Sequence, residues 1–151
     1  MNKLHNYVDI LSDLKFIILA SITSYISTIP FTIITSRTNV YLGPDFDIGS
    51  GLPLFATAFI AICIFPIIES GIIILIINII NKFINNKLYI VFISAIIFSF
   101  LHYYSLIYIF AIFTPSIIFT YSYLIYKPKN LKPIAIMTLI HMLYNLYQIL
   151  F

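Results

Sequence analysis

Long apolar stretches broken by short polar ones run the length of this chain. Phe16 to Thr35 carries no charge and is interrupted only by Ser, Thr and Pro30. A polar break follows between Arg37 and Gly51, with Gly43, Pro44, Asp45, Asp47, Gly49 and Gly51 supplying turn chemistry. Pro53 to Asn81 is apolar but for Glu69, and a basic turn containing Lys82 and Lys87 ends it. Leu88 to Tyr126 has no charge over 39 residues, too many for one helical crossing at about 1.5 Å per residue. Dividing it near Tyr103–Leu106 gives two crossings, and Ile134 to Phe151 follows a second basic turn, Lys127 to Pro133. The pattern predicts an all-α, polytopic transmembrane bundle of about five spans: 16–35, 53–81, 88–104, 106–126 and 133–151. Runs of this length lack the alternation of a barrel strand, and a span must satisfy its own backbone, which leaves helices.

The lysines give the bundle a direction. With five spans, Lys3, Lys15, Lys82, Lys87, Lys127, Lys129 and Lys132 fall on one side, and Arg37 stands alone on the other. Basic loops stay cytoplasmic, so the N-terminus is expected there. Four spans would scatter the lysines over both sides. Residues 4–14 set Leu4, Tyr7, Val8, Leu11 and Leu14 on one helical face, so 1–15 reads as an interfacial helix leading into the first span.

Composition agrees with lipid as the main solvent: 62% of the 151 residues are hydrophobic and 9% charged, against about a quarter charged in soluble chains. One membrane domain fits, with no room for an appended soluble enzyme. The net charge of +3 resides in loop lysines, so it speaks of topology and gives no reason to expect nucleic acid. Cys63 is the single cysteine, which excludes an internal disulfide and any cysteine-based metal cluster.

An ionisable group inside the bilayer costs about 2.5–3.5 kcal/mol even on lenient scales, so each one asks for a function. Glu69 is the only acid after Asp47 and sits mid-span. His102 and His141 also fall within spans, whereas His5 does not. Asn145 follows His141 by four residues, on the same helical face. Glu69 lies thirteen residues before Lys82, His102 fifteen after Lys87, His141 nine and Asn145 thirteen after Lys132. At 1.5 Å per residue these depths span about 14–23 Å from the cytoplasmic edge, so three helices carry their costliest groups to one layer. Pro66, three residues before Glu69, is expected to free a carbonyl near Ile62, while Ser70 and Gly71 are expected to allow close helix approach.

One carboxylate, two imidazoles and one carboxamide suit general-base activation of water, with imidazole and amide donors for a developing oxyanion. Hydrolysis of a peptide bond within the membrane is the natural reaction class. The same Glu69, His102 and His141 leave a zinc-type centre with bound water as the alternative, although His-Glu-x-x-His is absent from the sequence.

At these residues the chain resembles the CAAX-protease and bacteriocin-processing membrane proteins, the family of type II CAAX prenyl proteases and Abi-like proteins. Their pattern is Glu-Glu-x-x-x-Arg, then Phe-x-x-x-His, then His-x-x-x-Asn or Asp. Phe98 and His102, then His141 and Asn145, match in order, and Glu69 matches the first Glu. Ser70 stands at the second Glu and Ile74 at the Arg, so the paired acid and its counter-charge are missing together. The resemblance covers 53–151 and implies that Glu69 activates water while His102, His141 and Asn145 position it or stabilise the oxyanion. Phe98 is a candidate substrate contact. No cofactor is implied.

The reading is therefore an intramembrane endopeptidase, multi-pass in a bacterial cytoplasmic membrane, that cuts a small peptide or membrane-anchored precursor. The alternative is a non-catalytic immunity or scaffold protein built on the same bundle. A small ion transporter would also bury Glu and His, but five spans without a repeat offer no alternating-access design.

Overall fold

In a computed structural model the chain is described over residues 11–38 and 53–151. Five helices appear there: α1 (Asp13–Thr38), α2 (Leu54–Ile80), α3 (Lys87–Leu101), α4 (Leu106–Leu124) and α5 (Pro133–Leu150). Among the described residues there is no strand. The expected interfacial helix falls mostly on residues outside those described, as does His5.

Four of the helices, α1, α2, α4 and α5, are long and apolar enough to cross a membrane. The fifth, α3, is shorter, with 15 residues, or about 22 Å of helix. The expected span 88–104 is thus trimmed at its far end. His102 leaves helical geometry with φ −96° and ψ 43°, and Ser105 restarts the chain by capping α4, its hydroxyl accepting from the Tyr108 N–H. The α3–α4 turn lies at 102–105, overlapping the division expected near Tyr103–Leu106.

The outward faces of the helices are apolar as well as the core, and α1 adds hydroxyl residues to its buried face. On α1, Leu14, Ile18, Ile22, Ile26, Ile29 and Ile33 point outward, whereas Ser21, Ser24, Thr28 and Thr35 are buried. Their hydroxyls donate to carbonyls three or four residues back, so they enter the interior without an unmet donor. Small hydroxyl-bearing residues let backbones approach, and lipid accepts the isoleucines. On α2, Ile73, Ile76, Ile77 and Ile80 turn inward and Ile67, Ile68, Ile72, Leu75 and Ile79 outward. Gly71 departs from expectation: it is exposed, and a Cβ added there would meet nothing within 4 Å. Close approach at this level belongs to Ser70, which is fully buried.

Helix α5 is central, packing against α1, α2 and α4, while α3 and α4 form an antiparallel hairpin. At the lysine-rich end Asp13 closes the bundle. Its two carboxylate oxygens accept from the backbone N–H groups of Lys129, Asn130 and Leu131 and from the Tyr126 hydroxyl, at 2.7–3.0 Å. The Tyr126 ring stacks on Phe16 at 3.7 Å. This cluster ties the start of α1 to the turn that opens α5, so Lys15, Lys127, Lys129 and Lys132 share one end, as the lysine count requires. Nearer the other end, Gln148 donates to Thr28 at 2.9 Å.

Candidate active site

The local course of α2 is set by Pro66. Residues Ile60–Ile64 form a π turn in which the Phe65 N–H reaches back five residues to the Ile60 carbonyl. Pro66 has no N–H to offer the next carbonyl in that register, which belongs to Ala61. The Asn145 amide donates to it instead, at 2.9 Å. The carbonyl that receives the replacement donor is therefore that of Ala61, one residue before the expected Ile62. A single-turn π widening at a polar site is a recurrent arrangement.

Below this turn Glu69 projects towards two imidazoles from other helices. Its Oε2 lies 3.1 Å from His141 Nε2, and its Oε1 lies 3.6 Å from His102 Nε2. Side-chain exposure falls from 25% at Glu69 through 17% at His102 to 5% at His141. The groups that sequence depth places in one layer are thus gathered by α2, α5 and the end of α3. Asn145 is in the same register but differently engaged, its amide held by the Ala61 carbonyl.

Hydrogen-bond partners constrain the protons. His102 Nδ1 faces the Phe98 carbonyl at 3.0 Å, and a carbonyl only accepts, so Nδ1 carries a hydrogen. At His141, Nε2 lies against Glu69 Oε2, while Nδ1 is buried with no partner. The 3.6 Å separation at His102 exceeds direct hydrogen bonding.

Aromatic rings fix the imidazoles. Phe119 stacks on His141 at 4.4 Å and 23°. Phe98 meets His102 edge-on at 4.7 Å and His141 at 6.5 Å. Phe98 is only 2% exposed and belongs to the apolar core, so the ring expected to touch substrate is buried beside the two imidazoles. Nothing in the sequence marks Phe119. The fully buried Ser70, at the position of the resembled family's second Glu, accepts from Thr138 at 3.0 Å. Ile74, at the Arg position, is half-buried against the core. Among the described residues no group of three His, Cys, Asp or Glu is disposed to hold a metal ion. The carboxylate and the imidazoles face one another directly.

The model of the Rce1-like type II CAAX prenyl endopeptidase family matches residues 49–147. The chain belongs to this family. As an Rce1-like protein it is a multi-pass membrane protein whose family is one of endopeptidases, and the match takes in α2 to most of α5, hence all of Glu69, His102, His141 and Asn145. Helix α1 lies outside the match, attached through Asp13 and Thr28. No curated protein and no solved structure matches the chain.

Proposed function

We propose that this Rce1-like protein is an intramembrane endopeptidase that hydrolyses peptide bonds in a small peptide or membrane-anchored precursor, in the cytoplasmic membrane of a bacterium. The observation that carries the reading is the placement of one carboxylate, Glu69, against imidazoles from two other helices, 3.1 and 3.6 Å away. Glu69 takes a proton from water as the water oxygen bonds to the substrate carbonyl carbon. The carbonyl oxygen becomes an oxyanion, for which His102 and the free N–H of the Asn145 amide are the donors. As the tetrahedral species collapses, the C–N bond breaks and Glu69 returns its proton to the leaving amine. His141, stacked on Phe119, holds the carboxylate in place, and Phe98 props both rings. No step uses a cofactor.

The test is cleavage in proteoliposomes of a panel of membrane-anchored peptides, prenylated and unprenylated. Glu69→Ala and His141→Ala each abolish cleavage at unchanged membrane level, and a chelator leaves the wild-type rate intact. Wild-type cleavage that survives both substitutions ends the proposal.

Ser70 and Ile74, which replace an acid and an arginine of the family pattern, favour one second reading: a non-catalytic immunity or scaffold protein that binds a bacteriocin or a partner in the membrane. On that reading protection or binding persists in the Glu69→Ala variant and no peptide of the panel is cut.

A further inference from the structure

We infer that the Thr138–Ser70 hydroxyl pair is a positioning device that sets the register of α5 against α2 and thereby the contact between Glu69 and His141. The inference rests on the endopeptidase reading for its catalytic consequence, and on geometry alone for the contact. Helices α2 and α5 run antiparallel, and three polar rungs join them. Thr138 donates to Ser70 at 3.0 Å, His141 meets Glu69 at 3.1 Å, and Asn145 donates to Ala61 at 2.9 Å. As the numbers rise along α5 they fall along α2, and the chemical pair lies between the other two.

The apolar character of the buried faces of both helices explains why rungs are needed. The buried aliphatic residues of α2 after Ser70 are Ile73, Ile76, Ile77 and Ile80, and those of α5 before His141 are Ile136, Met137 and Ile140, all of them part of one apolar core. Branched aliphatic surfaces surrounded by lipid gain little from one sliding register over another, because lipid tails are as apolar as the partner helix. Hydrogen bonds are directional and fail within a few tenths of an ångström. Ser70 adjoins Glu69, and Thr138 precedes His141 by three residues on the same face, so the tie acts on the two residues whose separation matters. Ser70 stands where the resembled family has its second Glu.

The test uses the full-length protein in detergent and in proteoliposomes, with Thr138→Val (same shape, no hydroxyl), Thr138→Ser (hydroxyl restored) and Glu69→Ala. Two readouts are taken: kcat and KM for a cleaved peptide, and the ¹⁵N resonances of the His141 imidazole. Thr138→Val lowers kcat ~10- to 100-fold with KM little changed, the size of effect that a misplacement of about 1 Å produces. It also moves the His141 Nε2 resonance towards its position in Glu69→Ala. Thr138→Ser restores both. A Thr138→Val protein that melts earlier but keeps kcat and the His141 resonance overturns the inference, reducing the pair to packing. Cleavage that survives Glu69→Ala defeats the endopeptidase reading separately, and the His141 resonance then still decides the positioning claim.

Discussion

The π turn predicts an energetic coupling between two residues that do not touch through their side chains, Pro66 and Asn145. Asn145→Ala removes the donor to the Ala61 carbonyl. In an apolar setting an unmet carbonyl costs about 1–3 kcal/mol, whereas measured side-chain hydrogen bonds between membrane helices average about 0.6 and reach about 1.7 kcal/mol. The membrane values set the expectation, because the less folded state in lipid also finds partners. Pro66→Ala gives residue 66 an N–H and lets the chain satisfy Ala61 from within α2, so Asn145 becomes dispensable. The two losses should therefore fail to add: the double variant is more stable than the sum of the single effects predicts, by ~1 kcal/mol. Any small cavity left by the buried Pro66 ring cancels in the cycle. The assay is reversible unfolding in mixed detergent micelles, followed by far-ultraviolet circular dichroism for the four proteins. Additivity within about 0.3 kcal/mol refutes the idea that Asn145 serves the carbonyl orphaned by the proline.

Two further outcomes follow from contacts outside the central pair. Asp13→Ala strands three turn N–H groups and the Tyr126 hydroxyl, so folding stability falls by ~2–4 kcal/mol and trypsin cuts faster after Lys129, the lysine of this turn not followed by proline; an unchanged digestion rate contradicts the clamp. Phe119→Leu keeps volume near the core but removes the plate under His141; stability drops by about 1 kcal/mol while kcat falls well beyond what that loss explains, and a proportionate fall in both would make Phe119 ordinary packing.

The sequence made the bundle readable because charge is so scarce in it. Seven lysines expected on one side and a single mid-span acid leave few ways to lay five apolar runs across a bilayer, and the Asp13 cluster brings the segments of Lys15 and of Lys127, Lys129 and Lys132 to one end. Glu69, His102 and His141 were legible for the same reason, each being expensive where it stands. The short α3 was not, because the turn after it is Tyr103-Tyr104-Ser105, whose aromatics extend an apolar run as well as they end it; only the capping serine marks the restart. Phe119 and Thr138 were also beyond reach. They are two among many similar residues, and their role comes from what α5 brings opposite them. Asn145 was found by its spacing from His141, yet the partner of its amide depended on which carbonyl the π turn leaves unmet. Gly71 misled, since a small residue beside a polar one can face lipid as readily as a neighbour.

The most direct measurement of the central claim, that Glu69 activates a water which attacks the peptide bond itself, is cleavage in ¹⁸O-labelled water under single-turnover conditions, with mass analysis of product and protein. The account predicts one ¹⁸O atom in the new carboxyl group of the product and none in the Glu69 side chain. Label in Glu69, or a substrate fragment covalently trapped on the protein, would contradict it.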